Sequence, residues 1–231
     1  MTEGREFLLE RLQYRFRDTN LLDEALTHRS VCERNNERLE FLGDSILNFV
    51  IASELYARGP EDSEGALSRL RASLVNRGTL ADIARNLELG KYLQLGSGEL
   101  KSGGRRRDSI LADALESLLG AVYQDGGYDD CRALILRLFE DRLESLPCAH
   151  DLKDPKTRLQ EHLQSIRRPL PTYQVTDVSG KAHEQTFSVE CSVEGLDTVT
   201  NGKAANRRRA EQAAASAMLD ALQPSRRRKE S

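Results

Sequence analysis

The sequence has few cysteines, and they are scattered. The four lie 99, 17 and 43 positions apart, without a C-x-x-C pair or a neighbouring histidine cluster: Cys32, Cys131, Cys148 and Cys191. This spacing argues against a zinc site and predicts free thiols in a reducing cytosol.

The sequence also lacks a long apolar run. Its longest apolar stretch, residues 46–55, contains Asn48, Ser53 and Glu54, whereas a membrane-spanning helix needs roughly 20 apolar residues. The beginning, M-T-E-G-R-E, has neither the basic start nor the apolar segment of an export signal. We therefore expect a cytoplasmic protein without a membrane partner.

Charge is unevenly distributed along the 231 residues. Residues 151–231 hold 14 of the 34 Lys and Arg and 11 of the 37 Asp and Glu, which leaves 20 against 26 for residues 1–150. A basic C-terminal part can face phosphates, whereas an acidic body is a poor platform for nucleic acid unless its acids hold cations.

Residues 7–146 have the pattern of an all-helical domain. Apolar residues recur at helical spacing, as in Leu111, Leu115, Leu118 and Val122. Breaks fall at residues 60–63, 96–104 and 126–127, where proline or glycine interrupts the pattern. Pro147 opens a short polar segment that we interpret as a linker between domains.

After this segment the pattern becomes that of a small α+β domain. Residues 157–165 are amphipathic, residues 172–178 and 185–193 alternate as strands do, and residues 210–222 form an alanine-rich helix. A basic run at residues 226–229 follows, and such runs are usually solvated.

Carboxylates recur on one face of two predicted helices. Glu37, Glu40 and Asp44 are spaced i, i+3 and i+7, so at about 100° per residue they lie within roughly 60° of one another. Asp113 and Glu116 repeat the arrangement on the second helix. Two helices therefore each present a cluster of acids.

Two explanations of these clusters are open at this point. In the first, the acids form solvated helix faces, although like charges at this spacing cost a few tenths of a kcal/mol. In the second, they hold a divalent cation, since Mg²⁺ takes carboxylate oxygens and leaves room for water and phosphate. Paired ions suit in-line phosphodiester hydrolysis, because one can generate the attacking hydroxide while the other stabilises the leaving oxygen.

Several blocks of the sequence resemble the ribonuclease III family. Residues 36–45, N-E-R-L-E-F-L-G-D-S, look like its signature. Three further segments are similar to the bacterial enzyme: A-L-T-H-R-S at 25–30, L-K-S-G-G at 100–104 and D-S-I-L-A-D at 108–113. Residues 154–164 resemble the start of its double-stranded-RNA-binding domain. The similarity extends over residues 5–222, with the blocks in the right order.

The resemblance implies two domains of different fold class. These are an all-α endonuclease domain and a small α+β domain of order α-β-β-β-α that binds double-stranded RNA. The implied boundaries are 1–146 for the catalytic domain, 147–153 for the linker, 154–223 for the RNA-binding domain and 224–231 for a basic tail.

The resemblance also implies the reaction and its residues. Both strands of an RNA duplex would be hydrolysed with Mg²⁺, for which Mn²⁺ can substitute, and without a small-molecule cofactor, leaving 5′-phosphates and 3′-hydroxyls in ribosomal precursors and structured messages. Asp44 and Glu116 would be the most critical acids, with Glu37 and Glu64 as supporting acids near the scissile phosphate. The implied metal ligands are Glu40, Asp44, Asp113 and Glu116.

A homodimer is implied as well, in which each protomer cuts one strand. Phe41, beside Glu40, resembles an aromatic that plugs into a pocket on the partner. A core aromatic is the alternative for Phe41, but its helical position lies within roughly 60° of the acids and not beside Leu39 and Ile46.

In the C-terminal domain, the resemblance implies contacts to RNA grooves, because A-form RNA offers 2′-hydroxyls and phosphates more readily than base edges. Arg207 and Arg208, which open a helix capped by Asn206, would bind phosphates. The residues implied for the minor grooves are Thr157, Gln160, Glu161 and His183.

The sequence departs from the family pattern near that last helix. Ala204 stands where a second glycine is expected, and Glu211 replaces a basic residue. If the glycine serves a positive φ or a close backbone approach to phosphate, Ala204 carries a cost.

Two other functions share parts of the pattern. A catalytically inert regulator that binds duplex RNA would keep the architecture and lose a ligand, yet all four ligands are present. An unrelated magnesium enzyme with acid-lined helices, such as a prenyl-diphosphate synthase, would lack the C-terminal module.

Overall fold

The computed structural model describes residues 2–148, 152–181 and 184–222, and the chain divides into two compact units, Met1–Ala149 and His150–Ser231. The first unit is helical, as its periodicity predicts. Its helices are α1 (Thr2–Leu12), α2 (Thr19–Ala25), α3 (Glu37–Arg58), α4 (Glu64–Leu74), α5 (Arg77–Asn86), α6 (Ser97–Lys101), α7 (Asp108–Leu138) and α8 (Glu140–Glu144).

Polar caps and one glycine determine where several of these helices begin or bend. Ser63 Oγ accepts a hydrogen bond from the Ala66 amide at 3.3 Å at the start of α4, and Asn76 caps α5 in the same way. Gly127, with φ 85° and ψ −170°, interrupts the helical backbone of α7 at the predicted break. Such a φ is open to glycine because it has no Cβ.

The core of the first unit lies where α3 and α7 cross. Leu47 and Ile51 of α3 and Leu115 and Leu118 of α7 are buried completely. The buried Ser117 hydroxyl donates to the Ala25 carbonyl at 2.8 Å, which ties α7 to the end of α2. Two long helices are thus held side by side with their acid-bearing segments adjacent.

The second unit is a three-stranded antiparallel sheet with helices before and after it. The strands lie in the order β1-β2-β3, with Tyr173 of β1 opposite Cys191 of β2 and Cys191 opposite Thr200 of β3. Its elements are α9 (Pro155–Ser165), β1 (Thr172–Ser179), β2 (Thr186–Ser192), β3 (Val199–Ala204) and α10 (Arg207–Leu222).

The core of the second unit joins the two helices to the sheet. Leu159 and Leu163 of α9 pack with Met218 of α10 and with Cys191 of β2. Gly202 of β3 allows α10 to come close, since a Cβ there would lie 2.2 Å from the Ala210 carbonyl oxygen.

Within the described ranges, none of the helices combines the length and apolar character that a bilayer crossing needs.

Candidate active site and RNA-binding surface

A cavity of about 490 Å³ lies against the acid-bearing segments of α3 and α7. Loop residues from before α3 and from the α6–α7 region complete its lining. The predicted acids on its wall are Glu37, Glu40, Asp44, Asp113 and Glu116.

Three of these acids converge. Glu40, Asp113 and Glu116 are half-buried, and each offers a carboxylate oxygen that lies within 4.8 Å of the other two. Burial raises the pKa of Glu116 to about 8, with further contributions from the negative charges of Asp44, Asp113 and Glu40. Burial also raises the pKa of Glu40 and of Asp113.

The donor set suits a hard divalent cation. Three carboxylate oxygens can contact one ion, and Mg²⁺ prefers oxygen ligands. Besides burial, the negative charges of Asp113 and Asp44 raise the pKa values of both Glu40 and Glu116, and a cation bound between the carboxylates would favour their charged forms. The residues present therefore fit a metal site.

Asp44 occupies a different place on the same cavity. Its Oδ1 accepts a hydrogen bond from Asn48 Nδ2 at 2.8 Å, one helical turn further along α3. It stands outside the three-oxygen cluster, although its charge is the largest electrostatic contribution to the raised pKa of Glu116. The structure therefore brings three of the four predicted ligands together and places the fourth beside them.

The two supporting acids are separated. Glu37 is exposed on the cavity wall, and its carboxylate forms an ion pair of 3.0 Å with Arg29. Glu64, the first residue of α4, accepts a hydrogen bond from Ser68 Oγ at 2.8 Å and does not line this cavity.

The cavity also contains residues to which the sequence patterns assigned no role. Arg29 and Arg107 line it, and Glu99 forms an ion pair of 2.7 Å with Arg107. Arg77, at the start of α5, is the charge that most lowers the pKa of Asp113. Periodicity marks acids on one helix face, but it carries no signal for a basic side chain that reaches the cavity from a loop.

Phe41 is one of three aromatic side chains exposed along α3. Phe41 is 77% exposed, Phe49 60% and Tyr56 74%. At about 100° per residue they lie within roughly 80° of one another on the helix. A core position for Phe41 within this protomer is thus excluded.

In the second unit, three of the predicted RNA contacts share one exposed face of α9. Thr157, Gln160 and Glu161 lie at i, i+3 and i+4, and Lys153 Nζ binds the Glu161 carboxylate at 2.6 Å. His183 and the basic run of residues 226–229 lie outside the described residues.

Arg207 and Arg208 begin α10 and are exposed. Asn206 Oδ1 accepts a hydrogen bond from the Arg209 amide at 2.9 Å, so the predicted cap is present. Glu211, only 12% exposed in its side chain, binds Arg207 at 2.8 Å and Lys156 at 2.5 Å. The unexpected acid therefore joins the beginnings of α9 and α10.

Ala204 does not have the positive φ that a glycine at this position would allow. It is a regular residue of β3 paired with Phe187, and in the described residues the non-glycine positions with positive φ are Gln13, Glu88 and Arg167. The strand geometry at this position is open to any L-residue, so the missing glycine introduces no positive-φ strain.

Comparison with protein families identifies both units. Residues 18–143 match the family described as Ribonuclease-III-like, and residues 155–222 match the double-stranded RNA binding motif. The chain belongs to the ribonuclease III family. The predicted fold class and enzyme class, an endoribonuclease domain followed by an RNA-binding domain, are confirmed.

Individual members of the family resemble the chain along most of its length. Ribonuclease 3 of Alkalilimnicola ehrlichii is 60% identical over 223 residues, which are 96% of this chain and 98% of the relative. Ribonuclease 3 of Vibrio cholerae is 54% identical over 96% of this chain and 99% of its own. A solved nuclease domain of ribonuclease III from Campylobacter jejuni is 44% identical, with a TM-score of 0.58, and covers 59% of this chain and 96% of that one.

Proposed function

We propose that this ribonuclease III family member hydrolyses both strands of duplex RNA with Mg²⁺ held by Glu40, Asp44, Asp113 and Glu116. The observation that carries the proposal is the convergence of three carboxylates within 4.8 Å on an open cavity. The RNA binding motif at residues 155–222 of the same chain supports duplex RNA as the substrate.

Bound divalent ions would supply positive charge to the attacked phosphate and to the leaving oxygen. Mn²⁺ accepts the same oxygen ligands, and no small-molecule cofactor is needed. Asn48 holds the Asp44 carboxylate in one orientation through its hydrogen bond. Burial and neighbouring carboxylates raise the pKa of Glu116 to about 8, so a bound cation would favour its charged form.

The products would carry 5′-phosphates and 3′-hydroxyls, and ribosomal precursors and structured messages are the expected substrates. Glu37 acts beside the scissile phosphate, and Glu64 contacts the RNA. We assign catalysis to residues 1–146, a linker to 147–153, RNA binding to 154–223 and a basic tail to 224–231. The proposed groove and phosphate contacts are Thr157, Gln160, Glu161, His183, Arg207 and Arg208.

A homodimer in the cytoplasm completes the proposal. The exposed aromatic face of α3, which consists of Phe41, Phe49 and Tyr56, is too apolar to be a preferred solvent surface and suits a second copy of the chain. The similar nuclease domain of ribonuclease III from Campylobacter jejuni is described as structurally flexible in a region involved in dimer formation. Two protomers would place two acid clusters on one duplex.

Cleavage of a perfect RNA duplex with and without Mg²⁺ tests the proposed function. We expect both strands to be cut by the full chain with Mg²⁺ and neither after chelation. A DNA duplex and a single-stranded RNA of the same sequence serve as controls. Binding of the RNA duplex without any cleavage in Mg²⁺ or Mn²⁺ would identify an inert regulator instead.

A further inference from the structure

An RNA backbone that enters the cavity meets an electrostatic difficulty. Six acids line the wall, and RNA carries one negative charge per phosphate. Metal ions offset charge at the cluster itself, but the phosphates next to the scissile bond also approach the acidic wall. Cationic side chains at the edge of the cavity would attract them.

Two arginines of the described chain line this cavity. Arg29 comes from the loop between α2 and α3, and Arg107 immediately precedes α7. Because they come from separate loops, they are independent of the helix faces that carry the acids. Neither residue has been given a role in the proposed function above.

Arg29 is held at one side and open at the other. Its Nη1 donates to Glu37 Oε1 at 3.0 Å, while 69% of its side chain remains exposed. A guanidinium has five N–H donors. The ion pair therefore orients the group and leaves donors available to a ligand in the cavity.

Arg107 is anchored in a comparable way. Its Nη1 donates to Glu99 Oε2 at 2.7 Å and its Nη2 donates to Ser102 Oγ at 2.8 Å. The side chain is 43% exposed. These two hydrogen bonds restrict a flexible side chain before substrate arrives, which lowers the entropic cost of binding.

We propose that Arg29 and Arg107 bind backbone phosphates of the RNA strand being cut, next to the scissile bond. Glu37 and Glu99 act as positioning residues, since each accepts a hydrogen bond from one nitrogen of a guanidinium that lines the cavity. Guanidinium suits this role because its planar donors match the oxygens of phosphate. The inference rests on the proposed function and names substrate contacts within the same site.

Arg106 provides a matched control. It is the sequence neighbour of Arg107 and has the same side chain, but it lines a different cavity of about 360 Å³ together with Arg85 and Lys91. Its substitution changes the net charge by the same amount without altering the catalytic cavity.

The test compares Arg29→Gln, Arg107→Gln and Arg106→Gln in the full chain, with and without Glu116→Gln to prevent cleavage. For the first two we expect duplex affinity to fall about tenfold or more, and the salt slope of log affinity to become shallower by roughly one unit each. In cleavage assays the KM rises by a similar factor. Arg106→Gln keeps the parent affinity, slope and KM. Arg29→Lys and Arg107→Lys retain the salt slope, because the charge remains.

The outcomes separate this inference from the proposed function. If the unsubstituted protein cuts duplex RNA while Arg29→Gln and Arg107→Gln equal Arg106→Gln in affinity and salt slope, the arginines do not bind phosphate. If the unsubstituted protein does not cut, the proposed function itself fails. Circular dichroism monitors folding. If a glutamine variant unfolds, the methionine variant at the same position replaces it, and a folded methionine variant with the parent salt slope overturns the role of that arginine.

Discussion

Gly43 and Gly120 oppose each other where α3 crosses α7. A Cβ on Gly43 would lie 1.8 Å from the carbonyl oxygen of Glu116, and one on Gly120 would lie 2.2 Å from that of Leu39. Both obstacles are backbone atoms, which cannot rotate away as a side chain can. The separation of the carboxylates on the two helices thus depends on two residues without side chains.

Gly120→Ala is expected to push α7 away from α3. The overpacking should cost about 1–3 kcal/mol of unfolding free energy, and it should weaken Mn²⁺ binding because the three ligand oxygens no longer converge. Titration with Mn²⁺ and thermal denaturation measure the two effects. Gly98→Ala, where a Cβ meets nothing within 4 Å, is the control. Unchanged Mn²⁺ affinity in Gly120→Ala would show that the crossing does not determine the site.

Glu116→Gln is expected to abolish cleavage and to stabilise the metal-free protein. Its pKa of about 8 lies above the ordinary 4.5, so the folded state binds more protons than the unfolded state between these values, and stability falls as pH rises through this window. At pH 8 the substitution should raise the free energy of unfolding by about 1 kcal/mol. This is well below the free energy that corresponds to the whole pKa shift, because the cavity is open to solvent.

Thermal melts of the metal-free proteins at pH 5 and pH 8 check this effect of Glu116→Gln. The melting temperature of the variant should exceed that of the unsubstituted protein by a larger margin at pH 8 than at pH 5. Duplex RNA binding should persist. Near-normal turnover of the variant in millimolar Mg²⁺ would show that Glu116 is not a ligand.

Phe41→Ala is expected to weaken the homodimer. Truncating an aromatic anchor at an interface can cost about 2 kcal/mol or more, so dissociation should appear at roughly 30-fold higher protein concentration. Sedimentation velocity across a dilution series gives the comparison. Val31→Ala, which also truncates an exposed apolar side chain but lies off α3, is the control. An unchanged dissociation profile for Phe41→Ala would place the interface elsewhere.

Arg207→Ala combined with Arg208→Ala should weaken binding to all duplex sequences about equally. Phosphate contacts carry no sequence information, and the salt slope should become shallower by roughly one unit for each phosphate that is no longer bound. Affinities for two unrelated duplexes at several salt concentrations measure both effects. If the slope is unaltered, α10 does not contact the phosphates, and other basic residues supply the attraction.

Glu211→Gln tests the acid that joins α9 to α10. Hydrogen bonds from Lys156, and then from Arg207, hold the pKa of Glu211 below its usual value, so its stabilisation is present above the unfolded pKa and is lost as pH falls through the folded one. Denaturation of the full chain, monitored in the second unit, should show Glu211→Gln less stable at pH 7. The difference should vanish at low pH. A difference that persists there would rule out the ionised carboxylate as its cause.

Much of the architecture follows from the sequence alone. The apolar period of α3 and α7, the polar caps and the glycine breaks are local features, and each acts within a few residues of its own position. The exposed faces that carry Glu40, Asp113 and Glu116 follow from the same period. The third strand is not predicted by the local pattern, because β3 buries only Gly202 and has no alternation of apolar residues.

The sequence by itself determined the fold class, the family and the acids, because these depend on residue identity and spacing. Only the tertiary structure decided which groups meet. It separated Asp44 from the three converging oxygens, kept Glu64 off the cavity, and brought Arg107 and Glu99 onto it. The physical reason is that these distances depend on how closely α3 and α7 approach at Gly43 and Gly120 and on the paths of the connecting loops, and neither is recorded in the period of a single helix.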